Sequence, residues 1–264
     1  MHVLISSTQN PKIKSLLLLE KPRERKKQSV FVVEGKKEVM YAMEAGYKIE
    51  NIFFCQDIIS FQELMGLNLE DNLLIPVSRE VFDKIAVRES SGGLVAIVEQ
   101  KTHHLNDIKL KKNPLLLILE AVEKPGNLGA ILRTADAAGV DAVIICDPQT
   151  DFYNPNVIRS SVGCVFTKQI ASATSEETIE WLMKNNVQIF CTYLQASKPY
   201  YEIDFIGPSA IVMGTEATGL SDNWVKNATS NIIIPMQGVI DSMNVSTAAA
   251  VVIFEALRQR GFKL

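Results

Sequence analysis

Histidine is almost missing from this chain of 264 residues: the three present are His2, His103 and His104, and none occurs beyond residue 104. A Ser-His-Asp triad, a Cys-His dyad or a His-rich zinc site built from the later segments would have no imidazole to work with. Cysteine is scarce and scattered. Cys55, Cys146, Cys164 and Cys191 form no C-x-x-C pair, and three of them sit in apolar runs, which reads as reduced core thiols and a cytoplasmic location. Long hydrophobic runs are absent, since no stretch approaches the ~18–20 apolar residues of a membrane helix. The opening MHVLISSTQNPK has neither a basic segment followed by a long apolar core nor a small-residue cleavage site, so no signal peptide is expected. A strong charge of one sign is missing too. A net charge of -3 and a pI near 5.7 give no global attraction to nucleic acid.

What is present is an ordinary globular composition, 47% hydrophobic and 22% charged, in a chain long for one domain and comfortable for two. The charge is unevenly spread. Lys12, Lys14, Lys21, Arg23, Arg25, Lys26 and Lys27 cluster against only Glu20 and Glu24, a grouping that could neutralise phosphates or simply form a solvated loop and helix face.

The alternation of apolar runs and helical periodicity predicts an α/β fold in two parts. In the first, helices are expected at 11–20, 36–45, 59–65 and 79–86, and strands at 30–34, 51–54, 73–77 and 94–98. The polar, Lys-rich stretch 101–113 is read as a linker between domains at 1–100 and 114–264. The second part opens with the all-apolar run Leu115–Leu119, like a strand buried on both faces. Further strands are expected at 142–146, 164–170, 188–193, 210–213 and 231–234. Helices are expected at 127–138, with Asn127 as N-cap and Gly139 as stop, at 175–185 and at 245–260. In the last helix Val245, Ala248, Ala249, Val252, Ile253, Ala256 and Leu257 recur at i, i+3, i+4 spacing.

Three segments could carry chemistry. In Glu123–Gly139, a Gly-containing turn feeds a helix on which Gly129, Arg133 and Asp136 share a face. That suits a phosphate or carboxylate site; a surface Arg paired with Asp136 fits equally well. In Met213–Asp222, MGTEATGLSD, two glycines bracket a Glu. Leu220 stands where a P-loop would need Lys, and no strand–helix junction carries the dinucleotide G-x-G-x-x-G. In Ile234–Ala249, IPMQGVIDSMNVSTAA, the residues Ser242, Asn244 and Ser246 crowd the start of an apolar helix. One suffices as a cap, and the surplus suggests a polar ligand. Gly214, Gly219 and Gly238 are expected where backbone bends sharply or approaches a ligand closely.

Taken together and in this order, N-L-G-A-I-L-R, G-T-E-A-T-G-L and I-P-M-Q-G-V-I-D-S-M-N-V-S resemble the three motifs of the SpoU (TrmH-like) group of SPOUT methyltransferases, over Pro114 to about Arg260. The first half, through Q-N-P-K-I-K, the basic loop and F-V-V-E-G-K, is similar to the L30e-like substrate-binding domain that precedes many of these enzymes. Thr215 stands where the family usually has Asn, and Met243 where it has Leu.

The resemblance implies transfer of a methyl group from S-adenosylmethionine to a ribose 2′-hydroxyl of RNA. It also implies a trefoil-knotted parallel sheet, a homodimer with the active site at its interface, and no metal. Asn127, Arg133, Glu216, Ser242 and Asn244 fall on the family's functional positions. Arg133 would hold the substrate phosphate and steady a developing alkoxide, Ser242 and Asn244 would orient the hydroxyl, and Glu216 would hold the turn or Arg133. The cofactor would lie against Thr192, Tyr193, Leu194, Gly214, Gly219, Ile234, Met236, Gly238 and Met243. Lys12, Lys14, Arg23, Arg25, Lys26 and Lys27 would grip RNA, ribosomal (23S type) sooner than transfer RNA given the L30e-like domain. The competing readings are a tRNA ribose methyltransferase and a non-catalytic RNA-binding protein.

Overall fold

The computed structural model describes residues 3–87, 91–196 and 198–262, so His2 lies outside the described residues. The chain divides into two compact units: Met1–Thr102 with Phe152–Phe166, and His103–Asp151 with Thr167–Leu264.

In the first unit, α1 (Pro11–Leu18) starts where the Asn10 side chain accepts from the Lys12 amide at 2.9 Å, with Pro11 pre-set for the first turn. The basic segment is a second helix, α2 (Pro22–Gln28), rather than a loop; Ser29 at φ 54° ends it. Then come β1 (Val30–Glu34), α3 (Lys36–Glu44), β2 (Ile49–Phe54), α4 (Phe61–Met65), β3 (Leu74–Pro76), α5 (Arg79–Ile85) and β4 (Leu94–Glu99). The four strands order as β1-β4-β2-β3, with β4 antiparallel to both neighbours. Ile13 and Leu16 of α1 pack with Phe53, Ile75, Phe82 and Val95 in its core.

The second unit begins with β5 (Leu115–Glu120), buried along its whole length, then α6 (Pro125–Ala137) and β6 (Ala142–Cys146). A short helix, α7 (Pro155–Ser160), belongs to the first unit. Tyr153 beside it stacks on Phe31 at 4.2 Å between ring centroids, which returns this stretch to the first core. α8 (Cys164–Thr167) follows, its first three residues still in the first unit; the second unit then continues with β7 (Gln169–Ala173), α9 (Ser175–Lys184), β8 (Gln188–Thr192), β9 (Lys198–Pro199), β10 (Ser209–Met213), α10 (Asp222–Asn227), β11 (Ser230–Ile233) and α11 (Val245–Gln259). The seven strands form one sheet in the order β7-β6-β5-β10-β8-β11-β9, every pairing parallel.

Three further expectations change. The strand expected over Cys164–Ile170 is a helical turn followed by a strand that starts at Gln169, because a short apolar run does not by itself distinguish the two. The stretch 101–113 is no free linker from His103 onward. Leu105, Ile108 and Leu110 pack on the second core, and Lys109 N–H donates to Gln169 Oε1 at 2.8 Å. Arg25 is fully buried and so is not on a surface that could meet RNA. Its Nη1 donates to the carbonyls of Leu19 and Glu20, each at 2.8 Å, satisfying acceptors that the end of α1 leaves unpaired.

Candidate active site

In a parallel sheet, the loops beyond the carboxyl ends of the strands are the usual place for a ligand. Here β5, β10, β8 and β11 are consecutive neighbours, so the loops that leave them converge at one edge.

The loop after β5 leads into α6, which starts two residues earlier than expected. Lys124 is the N-cap residue and Pro125 the first helical residue. Asn127 is therefore inside the first turn, and its amide is left available for tertiary contacts instead of capping. Gly129 turns inward and is buried, whereas Arg133 is exposed. The alternative pairing of Arg133 with Asp136 does not occur: Asp136 accepts from Thr167 Oγ1 at 2.6 Å and pairs with Lys168 at 3.4 Å.

The loop after β10 is a tight return. Thr215 and Gly219 exchange backbone hydrogen bonds at 3.1 Å in both directions. A Cβ on Gly214 would lie 2.3 Å from the Gly219 carbonyl carbon, and Gly219 itself has φ +70°. Both positions therefore require glycine, one for space and one for conformation. Thr215 Oγ1 accepts from the Thr218 amide at 3.0 Å, so the hydroxyl keeps the turn's hydrogen bonding intact where the family has Asn. Gly238 fits neither demand. It is exposed, with open space where a Cβ would point, and it is not among the cleft residues.

The third loop reaches α11 through Asn244, whose Oδ1 accepts from the Ser246 amide at 3.0 Å and from Ser246 Oγ at 2.6 Å. That settles which of the three polar groups is the cap. Among the described residues the Ser242 hydroxyl hydrogen-bonds only its neighbour Asp241, at 3.1 Å, and it stays exposed in the cleft.

Glu216 joins the three loops. Its carboxylate pairs with Lys124, accepts from Asn127 Nδ2 at 2.5 Å and from Asn244 Nδ2 at 3.0 Å, and takes the Val245 amide at the start of α11. Asn244 Nδ2 also donates to Asn127 Oδ1 at 3.2 Å. The Lys124 hydrogen bond, chiefly, holds the Glu216 carboxyl below the usual range against some desolvation, and the same contact raises Lys124. Of the two roles expected for Glu216, the carboxylate makes no bond to Arg133 among the described residues and instead ties its own turn to Lys124 and the two asparagines.

Beside this cluster lies a cleft of about 770 Å³. Of the residues assigned to a cofactor, Thr192, Tyr193, Leu194, Gly214, Gly219, Ile234, Met236 and Met243 all line it, along with Ser242 and Asn244. A smaller cavity of about 320 Å³ adjoins the Asn127 side of Glu216. Arg133 lines neither. Lys124 lines both and was not singled out from sequence, where its place just before P-G-N reads as a plain helix entrance. Among the described residues no group of three or more His, Cys, Asp or Glu side chains could hold a metal ion, and neither His103 nor His104 lines the cleft.

The cleft has the volume of a small-ligand site. Its mixed lining, with Met213, Ile232, Ile234 and Met236 beside the polar turn at Gly214–Gly219, fits a ligand with one apolar ring and one polar end. Fold and cleft together define an α/β protein of the kind that takes a nucleoside-sized ligand at the strand ends of a parallel sheet.

Known proteins narrow this further. The model of the SpoU rRNA Methylase family matches residues 114–254, and that of the MRM3-like substrate binding domain matches residues 10–96. This chain belongs to the SpoU rRNA methylase family. It is 28% identical to the 23S rRNA (guanosine(2553)-2′-O)-methyltransferase RlmP of Bacillus subtilis, over 95% of this chain and 97% of the relative. It is 35% identical to the 23S rRNA (guanosine-2′-O-)-methyltransferase RlmB of Pectobacterium atrosepticum, over 78% and 85%. The crystal structure of an AdoMet-bound rRNA methyltransferase from Sinorhizobium meliloti superposes with a TM-score of 0.89 at 31% identity, covering 97% of each chain.

Proposed function

We propose that this protein transfers a methyl group from S-adenosylmethionine to a ribose 2′-hydroxyl of ribosomal RNA of the 23S type. The observation that carries the reading is the convergence of Asn127, Glu216 and Asn244, one from each motif, beside a cleft lined by eight of the nine residues assigned to the cofactor. The full-length similarity to named rRNA 2′-O-methyltransferases supports ribosomal over transfer RNA.

In the cleft, Ile234, Met236 and Met243 would face the adenine while Thr192–Leu194 and the backbone at Gly214 and Gly219 hold the rest. Bound there, S-adenosylmethionine supplies a methyl group already activated by the positive charge on sulfur. The chain's own part is positioning and charge control. Asn244 has both N–H groups and its carbonyl oxygen committed within the protein, so its role is to fix Asn127 and Glu216. Ser242 and the remaining N–H of Asn127 are then the groups that orient the hydroxyl.

The Arg133 side chain makes no hydrogen bond or ion pair among the described residues, although its backbone is inside α6. It starts six residues, about 9 Å of helix, beyond Asn127. All five of its donors are thus open to a phosphate near the acceptor ribose.

RNA would be gripped by residues 1–100, folded as an L30e-like domain, through Lys12, Lys14, Arg23, Lys26 and Lys27, all exposed on α1 and α2. Residues 114–264, with a knotted C-terminal segment, would carry the transfer in a homodimer. Exposed Val239 and Ile240, within the third motif at the cleft, are the kind of apolar surface a second copy covers. Cys55, Cys146 and Cys191 are buried thiols, in keeping with a cytoplasmic location, and no helix among the described residues is long and apolar enough to cross a membrane. Mapping 2′-O-methyl sites in total RNA from cells with and without this protein tests the reading: one ribosomal site should vanish with it. An unchanged map would refute it.

A further inference from the structure

Glu216 can gather Asn127 and Asn244 only while it is a carboxylate, because a protonated acid would lose acceptor capacity on the oxygen that carries the proton. It must also be held still, since it sits on the exposed turn closed by Thr215 and Gly219. One of its oxygens, Oε1, takes both asparagines, and the other, Oε2, takes only Lys124 among the side chains of the described residues. Lys124 is itself fixed by the main chain. It is the N-cap residue of α6, and its carbonyl accepts the Leu128 amide at 3.1 Å. Its side chain is 68% exposed, and a pair so open to water adds little to folding. It nevertheless stands on the wall shared by the large cleft and the smaller cavity.

We propose that Lys124 is a positioning residue for methyl transfer: by clamping the second oxygen of Glu216 it fixes the carboxylate from which Asn127 and Asn244 are oriented between the two cavities. The inference rests on the methyltransferase reading above. Its electrostatic side agrees with its geometry, since Lys124 is the chief cause of the lowered Glu216 carboxyl. Without it the folded-state carboxyl returns toward its ordinary value, so Glu216 takes up its proton at a higher pH.

Lys124→Met, Lys124→Arg, Glu216→Gln and the double variant Lys124→Met/Glu216→Gln are compared in the full-length protein, on 23S ribosomal RNA with S-adenosylmethionine. Lys124→Met should fold as wild type by circular dichroism and lose about tenfold in kcat, the effect of one hydrogen bond to a charged group. The KM for S-adenosylmethionine should stay within about twofold, and the acid limb of the kcat profile should move to higher pH. Lys124→Arg should restore most of the rate and the wild-type limb. In the Glu216→Gln background, Lys124→Met should cost nothing further, because the two residues act as one unit. A Lys124→Met enzyme with wild-type kcat and an unmoved acid limb would overturn the inference and leave the methyltransferase reading standing. Equal losses with and without Glu216 would also overturn it, by showing that Lys124 acts elsewhere. A wild-type protein that methylates no ribose would bring down the reading and the inference together.

Discussion

Glu216 and Asn127 are 89 positions apart in the chain, yet Asn127 Nδ2 donates to Glu216 Oε1 over 2.5 Å. The bond ties the turn after β10 to the first turn of α6, and Asn244 closes the triangle from the third motif. Glu216→Gln keeps the side chain's shape but replaces one accepting oxygen with a donor. It should lower kcat about 10–100-fold, the span of hydrogen bonds to charged groups, with the protein still folded. Single-turnover methylation of 23S ribosomal RNA measures this, and an unchanged rate would take Glu216 out of the site.

Gly214→Ala tests the close return of the same loop. The new methyl would sit 2.3 Å from the Gly219 carbonyl carbon, so the loop must open. Calorimetry should show S-adenosylmethionine binding at least about tenfold weaker, while circular dichroism stays near wild type. Gly238→Ala meets open space and should bind the cofactor as wild type does. Equal effects of the two substitutions would contradict the placement of the cofactor against the turn.

Much of this was legible in the sequence because the signals were strong and local. Five successive apolar residues, Leu115–Leu119, announce a strand covered on both faces, and the spacing of Val245, Ala249, Val252, Ile253 and Ala256 announces α11. Less legible were features that depend on where a side chain ends up. Arg25 reads like the lysines beside it, yet it turns inward to close α1 while they stay in water. Lys124 became visible only once the turn carrying Glu216 was folded against α6. Tyr153 gave no sign in its own segment that its partners would be Phe31 and Tyr47 of the first unit.

Arg25 and its neighbours therefore separate by experiment. Arg25→Ala should destabilise the protein by roughly 2–4 kcal/mol, since it strips two carbonyl acceptors of a buried charged donor. Urea denaturation checks this through the midpoint. Lys26 and Lys27 changed together to Ala should leave that midpoint in place, weaken RNA binding and make its salt dependence shallower. Wild-type RNA affinity and salt slope in the double variant would leave α2 as a solvated face.

Arg133 should behave differently again. Arg133→Ala should abolish transfer and keep S-adenosylmethionine affinity within a few-fold of wild type, because the residue lies outside the cleft. Arg133→Lys keeps the charge and loses the planar fork. Measurable residual turnover in that variant points to charge alone, and almost none points to two-pronged phosphate recognition. Wild-type turnover of Arg133→Ala on 23S ribosomal RNA would remove the residue from catalysis.

The central claim is the chemistry itself, and nucleoside mass spectrometry reads it most directly. Purified protein, methyl-labelled S-adenosylmethionine and unmodified 23S ribosomal RNA are incubated, and the RNA is digested to nucleosides. The account predicts label on the ribose of one nucleoside, resistant to alkaline cleavage at that position, and absent when Glu216→Gln and Arg133→Ala are combined. Label on a base, or no label with protein that binds S-adenosylmethionine, would contradict it.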